Sequence, residues 1–185
     1  MNSDEKGLRL FIGGTASGKN TTILSALAEI VAKDLLKVVS LEMPVEALVD
    51  GVEQISVETE EDYNANAASL LRQNPDVVYL TEITDFTARD VVNISNTGKI
   101  VFSSLHANTI SDALPRLQDL TGLSLDRLVL SLHSCVYQEL VRDESTDTIH
   151  PVNRCVWFSD SLKSKLYGKS LGEVKQLIQE VEFAW

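Results

Sequence analysis

The chain has 185 residues, of which 44% are hydrophobic and 23% charged, and its formal net charge is −11. This length and balance fit one α/β globular domain with an ample core. The acidic charge argues against a duplex-binding face and against direct adhesion to anionic lipid, because both need clustered basic residues. No apolar run is long enough to span a bilayer, and residues 1–7 do not form a signal peptide. We therefore expect a cytoplasmic protein.

The strongest chemical signal lies in residues 8–22, near the beginning of the chain. Residues 8–12 form a short apolar run typical of a buried strand, and residues 20–32 have helical spacing. Between them the pattern G-x-x-x-x-G-K is met by Gly13, Gly18 and Lys19. Small residues let backbone N–H groups curl around phosphate oxygens, and the helix start and lysine add positive charge. The predicted nucleotide-binding residues are Gly13, Gly14, Thr15, Ala16, Ser17, Gly18, Lys19, Asn20 and Thr21.

The last position of this motif holds Asn20, where a serine or threonine hydroxyl usually ligates Mg²⁺. An amide oxygen can coordinate magnesium, but the longer side chain does not reproduce the tight octahedral geometry that this ion demands. Thr21 lies about 100° further around the helix and cannot simply replace it. We expect ATP and Mg²⁺ as cofactors, with Asn20 as the candidate metal ligand and magnesium ligation in question.

Further elements follow along the chain as alternating strands and helices. Residues 142–148 read as a loop, and Pro115 interrupts one helix. Helix 171–183 either packs on the sheet or forms a partner surface ending in the aromatic residues Phe183 and Trp185. The alternation predicts a mainly parallel sheet. The predicted strands are 37–41, 53–58 at an edge, 76–80, 99–105, and a hairpin of 135–141 and 152–158; the helices are 59–73, 87–96, 109–120, an apolar segment from 122, and 171–183.

Candidate catalytic groups stand just after three of the predicted strands. A carboxylate there can orient a water molecule, and a histidine beside the terminal phosphate can report its presence. Singly, an ordinary surface or structural role is the better interpretation of Glu46, Asp85 and the other histidines, His133 and His150. Cys135 and Cys155 lie in apolar sequence without zinc-ligand spacing, so we expect buried free thiols. The strand-end candidates are Glu42 and Glu46, Glu82 and Asp85, and His106.

Four segments, GGTASGKNTT, SLEMPVE, PDVVYLTEITD and TGKIVFSSLHANT, resemble in this order the motifs of the secretion-ATPase family. That family serves type II secretion, type IV pili, competence systems and conjugation-like type IV secretion. The resemblance covers residues 8–141 and implies a RecA-like α/β fold in a hexameric ring, with ATP at subunit boundaries. It implies that Glu82 is the water-orienting Walker B base and His106 the phosphate sensor. It places Glu42, as a second catalytic candidate, and Glu46 in the Asp box.

The chain departs from the family pattern at five positions, Asn20, Met43, Thr81, Thr84 and Lys99. We also expect the zinc-binding cysteine module of many type II members and the family's N-terminal domain to be absent from this chain. We expect residues 1–142 to form the ATPase core and residues 143–185 a strand-and-helix extension of the same domain. The implied partners are ATP, further copies of the chain, and membrane-embedded platform or secretion-channel proteins. Nucleic acid is not expected to bind directly, and the location is cytoplasmic, peripheral to the inner membrane through partners.

Two functional hypotheses remain open from the sequence. The first is an ATP-hydrolysing motor that works as a ring. The second is a degenerate subunit that binds nucleotide and assembles but hydrolyses poorly, as the loss of the motif hydroxyl suggests. A small-molecule kinase would explain only residues 13–19 and gives no account of EMPVE or LHAN.

Overall fold

The carboxyl ends of parallel strands meet at one edge of a sheet, and this chain builds such an edge around its first strand. A computed structural model describes residues 6–33 and 36–184. Within them one sheet has the order β3-β2-β4-β5-β1-β6-β7-β8. Its strands are β1 Gly7–Ile12, β2 Val38–Glu42, β3 Glu53–Ser56, β4 Val77–Leu80, β5 Ile100–Leu105, β6 Leu132–Asp143, β7 Thr148–Trp157 and β8 Phe183–Ala184.

Helices connect the parallel strands and cover the sheet. Strands β1 to β6 are joined by parallel pairings, whereas β7 pairs antiparallel with β6 and β8 antiparallel with β7. The prediction of a mainly parallel sheet is therefore confirmed. The helices are α1 Lys19–Lys33, α2 Glu60–Leu70 with a 3-10 turn Leu71–Gln73, α3 Ala88–Ser95, α4 Ile110–Thr121, α5 Leu125–Ser131, α6 Asp160–Leu166 and α7 Leu171–Val181.

The core lies on both faces of the sheet, as the apolar strands require. On β1, Leu10 and Ile12 belong to the larger cluster, which α2 to α7 complete. Phe11 belongs to the smaller cluster on the other face, where it stacks on Phe102 beneath α1. Because both faces of β1 are buried, the position of its carboxyl end is fixed from both sides.

Two predictions about local structure are wrong. Pro115 does not interrupt its helix, since α4 runs from Ile110 to Thr121 with the proline inside. Burial of Leu114 and Leu117 on either side of it holds the helix together despite the missing N–H donor. The predicted loop 142–148 is shorter, because β6 continues to Asp143 and β7 begins at Thr148.

The C-terminal part of the chain is more regular than predicted. Strands β6 and β7 form the expected hairpin, with a register that runs from Ser134↔Trp157 to Asp143↔Thr148. Helix α6 and the short strand β8 were not predicted. The predicted boundary between the ATPase core and the C-terminal extension, after residue 142, falls inside β6. The division of the chain into core and extension stays a prediction.

Helix α7 buries Val174 and Ile178 in the larger core cluster, and Lys175 donates to Asp112 of α4 at 2.9 Å. Phe183 is partly exposed in β8, whereas Trp185 lies outside the described residues. Cys135 and Cys155 are buried free thiols, as predicted. They lie in different core clusters, Cys135 in the larger and Cys155 in the smaller. In residues 6–33 and 36–184, no helix has both the length and the apolar character needed to cross a membrane.

Candidate functional site

The loop between β1 and α1 has the backbone that the phosphate-loop motif predicts. Gly13, Ala16 and Gly18 all have positive φ angles, of 155°, 59° and 81°. A side chain at Gly13 would also collide with protein, because an added Cβ would lie 2.3 Å from the carbonyl oxygen of Gln138. The two motif glycines are therefore required by the local backbone.

Lys19, the first residue of α1, folds its ammonium group back into this loop. Its Nζ donates to the carbonyl oxygens of Gly13 at 2.9 Å and Gly14 at 2.7 Å. The side chain is 7% exposed. Burial lowers the pKa of Lys19, and the negative charge of Glu82 opposes that shift. Lys19 is thus a buried cation whose present hydrogen-bond partners are neutral oxygens, the two carbonyls and, at 3.5 Å, Ser17 Oγ.

A cavity of about 490 Å³ lies in front of the loop, at the carboxyl edge of the sheet. It brings together the phosphate loop and the start of α1 with residues that follow β2, β4 and β5 and with residues of β5 and β6. The predicted loop residues from position 15 to position 21 all line it, as do three of the strand-end candidates. The lining residues are Thr15, Ala16, Ser17, Gly18, Lys19, Asn20, Thr21, Glu46, Glu82, Ser104, His106 and Leu140.

Glu82 and His106 form a pair at this cavity. His106 Nε2 lies 3.1 Å from Glu82 Oε1, and His106 Nδ1 lies 3.2 Å from the carbonyl oxygen of Gly13. Both partners are acceptors, so both ring nitrogens donate only when the imidazole carries two protons. The pair joins the ends of β4 and β5 to the start of the phosphate loop.

Asn20 is held by the segment that follows β2. Its Nδ2 donates to Glu46 Oε2 at 3.2 Å, and both side chains line the cavity. Asn20, Glu46 and Glu82 together offer amide and carboxylate oxygens, a donor set that suits Mg²⁺ when water and phosphate oxygens complete the shell. The residues present therefore fit the ion, although the Asn20 amide is engaged with Glu46.

Glu42 is not among the residues that line the cavity. Its carboxylate is 4% exposed, and Oε1 accepts from Ser40 Oγ at 2.6 Å and from Gln54 Nε2 at 2.9 Å. Gln54 also donates to the carbonyl of Ala47 and accepts from the N–H of Val49. Glu42 thus anchors the segment that carries Glu46.

The other departures from the motifs have structural partners. Thr87 Oγ1 accepts from the N–H of Thr84 at 2.8 Å, ahead of α3. Lys99 Nζ donates to Asn74 Oδ1 at 2.8 Å, at the opposite edge of the sheet. Met43 packs against the larger core cluster. Asp85 is exposed, and neither it nor His133 nor His150 is among the residues that line the cavity.

Sequence reasoning missed three residues of the site, Ser104, Gln138 and Leu140. Ser104 comes two residues before His106 on β5, so strand periodicity could have identified it. Gln138 stands out only as a polar residue in the apolar run that forms β6. Its Nε2 donates to the carbonyl of Ser17 at 2.7 Å, and its Oε1 accepts from Thr22 Oγ1 at 2.8 Å.

Comparison with known proteins agrees with this fold. The family model described as "Type II/IV secretion system protein" matches residues 2–174. The type II secretion system protein E of Aeromonas hydrophila is 39% identical over 148 residues, which are 78% of this chain and 29% of that protein. The chain therefore spans less than a third of the length of that relative.

Two solved structures share the fold. The Legionella pneumophila ATPase DotB superposes with a TM-score of 0.81 at 21% identity, over 95% of this chain and 52% of that one. The pilus retraction motor PilT, solved with bound ADP, superposes with a TM-score of 0.81 at 25% identity, over 95% and 54%. The prediction of a RecA-like α/β core is confirmed. From its motifs, its fold and this match, the chain belongs to the type II/IV secretion system protein family.

Proposed function

We propose that this chain binds ATP and hydrolyses it as the motor domain of a secretion, pilus or conjugation-type machine. The observation that carries the proposal is the convergence of Lys19, Glu82 and His106 on one cavity. A buried cation, a carboxylate and an imidazole at the mouth of a phosphate loop are what phosphoryl transfer to water requires. The match to ATPases of this family supports the same activity.

Each cavity residue has a distinct role in this proposal. The ammonium of Lys19 exchanges its two carbonyl acceptors for phosphate oxygens, which are charged and therefore better partners. Glu82 orients the attacking water and accepts its proton. His106, bonded to Glu82 and to the Gly13 carbonyl, senses the terminal phosphate. The contacts of Glu42 with Ser40 and Gln54 favour a positioning role over direct catalysis.

We include Mg²⁺ in the proposal because oxygen-bearing side chains line the cavity. Asn20 would hold the ion through its amide oxygen, with Glu46 or Glu82 acting through water. When bound, Mg²⁺ neutralises charge on the outer phosphates. To serve as a ligand, Asn20 would have to turn its Oδ1 towards the ion. Its Nδ2 would then either keep or lose the hydrogen bond to Glu46.

The charge of the site supports ring assembly. Among the described residues that line the cavity, Lys19 is the only lysine and no arginine is present. An arginine supplied across an interface can dominate transition-state stabilisation, so we propose that another subunit completes the site, in a hexamer. Membrane-embedded platform or secretion-channel proteins would be the further partners, from the cytoplasmic side of the inner membrane.

One observation favours the second hypothesis, a subunit that binds nucleotide and assembles but hydrolyses poorly. Asn20 stands at the motif position whose hydroxyl usually ligates the metal, and its Nδ2 donates to Glu46 Oε2 instead. A subunit in which Asn20 keeps this hydrogen bond to Glu46 would bind phosphates through Lys19 and the loop amides. It would hold magnesium weakly.

The deciding experiment measures Mg²⁺-dependent ATP binding and hydrolysis by the unmodified chain, Asn20→Thr and Glu82→Gln over a range of protein concentrations. The motor proposal expects hydrolysis that rises with protein concentration and falls at least about a hundredfold in Glu82→Gln. Binding without turnover, repaired by Asn20→Thr, would favour the poorly hydrolysing subunit. Asp85→Asn is the matched control, because Asp85 is an exposed carboxylate that does not line the cavity. Absence of ATP binding in all variants would overturn both hypotheses.

A further inference from the structure

Gln138 is a buried polar residue that touches the phosphate loop from a distant part of the chain. It is 1% exposed and lies on β6, 121 residues after Ser17. The ladder between β1 and β6 ends with the pair Ile12↔Tyr137. Gln138 is therefore the first residue of β6 beyond that ladder, directly beside the point where the loop begins.

The side-chain amide of Gln138 uses both of its ends on the loop and on the helix that follows. Nε2 donates to the Ser17 carbonyl at 2.7 Å, and Oε1 accepts from Thr22 Oγ1 at 2.8 Å. The first contact lies before Lys19 and the second after it. One planar group thus spans the residues on either side of the lysine.

Close approach at two glycines shows how tightly this contact is built. An added Cβ at Gly13 would lie 2.3 Å from the backbone oxygen of Gln138, and one at Gly18 would lie 2.9 Å from its Nε2. The closest contact at each of the two motif glycines therefore comes from Gln138, with Ser17 Oγ also 2.7 Å from the added Cβ at Gly13. A loop that carried side chains there would be displaced from the strand.

The contact with Ser17 also sets the direction of a backbone donor. In a trans peptide the carbonyl of one residue and the N–H of the next point in opposite directions. Because Gln138 holds the Ser17 carbonyl, the Gly18 N–H points away from Gln138. Gly18 lines the cavity, where an inward N–H group would meet a phosphate oxygen.

We propose that Gln138 is a positioning residue for the phosphate loop, an inference that rests on the proposed nucleotide binding. Its amide orients the Ser17–Gly18 peptide and fixes Thr22 at the start of α1, so that the loop is preorganised before phosphate arrives. Gln138 itself does not touch the nucleotide. Its effect reaches the phosphates through Gly18 and Lys19.

The test compares Gln138→Leu, which removes both hydrogen bonds, with Glu139→Gln, a change on the same strand at a residue that contacts Tyr137 and Arg154 and does not line the cavity. Loss of two buried hydrogen bonds should raise the dissociation constant for ATP about tenfold in Gln138→Leu and leave it unchanged in Glu139→Gln. Thr22→Val should weaken ATP binding by a smaller factor, and Thr22→Ser should restore it, because serine keeps the hydroxyl.

A second substitution at Gln138 separates positioning from general loss of stability. Gln138→Glu keeps an acceptor for Thr22 but presents an oxygen to the Ser17 carbonyl unless the new carboxyl is protonated. The ATP affinity of Gln138→Glu, divided by that of the unmodified chain at the same pH, should therefore rise as the pH is lowered. At a pH and temperature where both chains are fully folded, a loss of stability alone predicts no such recovery.

Amide hydrogen exchange of the nucleotide-free chain gives a readout that does not depend on ATP binding. Exchange in residues 13–22 should accelerate in Gln138→Leu and not in Glu139→Gln, at a temperature well below unfolding of both. If the unmodified chain fails to bind ATP, the proposed function is overturned while this measurement still tests Gln138. Unchanged exchange together with unchanged ATP affinity in Gln138→Leu would overturn the positioning role.

Discussion

The charge state of Lys19 depends on its burial in the site. Burial lowers its pKa, so the folded chain binds this proton less tightly than the unfolded chain does. By linkage, the stability of the nucleotide-free chain rises as the pH rises from the lowered pKa towards 10.5, the ordinary lysine value. A bound phosphate acts in the opposite sense, because its negative charge favours the protonated lysine.

We therefore predict that ATP affinity falls as the pH rises, beginning at a lower pH than an exposed lysine would give. Calorimetry in two buffers of different ionisation enthalpy, between about pH 8 and pH 10, should detect proton uptake on binding. Lys19→Gln should abolish that uptake along with most of the affinity, whereas Lys33→Gln on the exposed end of α1 should leave both unchanged. Proton-neutral binding by the unmodified chain across this range would contradict the prediction.

At the residue scale, the sequence identified groups that act where they stand in a local motif. Lys19 follows its glycine by one position, Glu82 comes two residues after the end of β4, and His106 directly follows β5. Gln138 acts through a contact with Ser17 that spans 121 residues. No local pattern encodes that separation, because the register between β1 and β6 brings the two together only in the folded sheet.

Helix α7 begins with a capping box, which makes its start sensitive to pH. Glu173 Oε2 accepts from the Ser170 N–H at 2.9 Å and from its hydroxyl at 2.8 Å, and the Ser170 hydroxyl oxygen in turn accepts from the Glu173 N–H. These donors, with Lys169, lower the pKa of Glu173 from 4.5 to about 2. A carboxylate with a lowered pKa stabilises the fold above its unfolded pKa, and this contribution is lost as the pH falls towards 2.

Glu173→Gln should therefore lower the stability of the chain at pH 7, because the amide keeps an acceptor but loses the charge. The difference from the unmodified chain should shrink as the pH falls below 4.5, where the unfolded chain takes up the proton. Urea denaturation at pH 7, 5 and 3 would measure it. Glu180→Gln, on the exposed face of the same helix, serves as the control. A difference of constant size at all three values would argue against the capping contribution.

At the element scale, long periodic segments were predictable and short or irregular ones were not. The α1 pattern was clear because Ile23, Leu24 and Leu27 recur on one face and are buried. In contrast, β8 has only two residues and exists through its pairing with Arg154 and Cys155 of β7. Pro115 misled the prediction because tertiary burial of its neighbours outweighed the loss of one helical hydrogen bond.

At the scale of the whole molecule, the two thiols report whether the chain opens as one unit. Cys135 lies in the predicted core and Cys155 in the predicted extension. In the ladder between β6 and β7, Cys135 pairs with Val156 and Cys155 pairs with Val136. Burial raises the pKa of Cys155 to about 11 and also raises that of Cys135. Neither thiol is therefore a ready nucleophile while the sheet is intact.

We predict that a thiol reagent at pH 8 modifies neither cysteine in the native chain and modifies both with the same dependence on urea. Mass spectrometry of the labelled peptides distinguishes the two positions. Equal protection would support a single cooperative domain that extends across the line between residues 142 and 143. Earlier labelling of Cys155 would instead show that residues 143–185 open separately. Adding ATP should protect both thiols further, by binding only the folded form.

The place of β1 in the sheet has a consequence for how the protein is made. The phosphate loop follows the first strand, but β1 is flanked by β5 and β6, whose residues leave the ribosome about a hundred positions later. The phosphate loop is thus synthesised well before the two strands that flank β1. A nascent chain that ends before residue 138 would carry the motif without the strand beside it. Nucleotide should therefore stabilise the finished domain and give little help to the growing one.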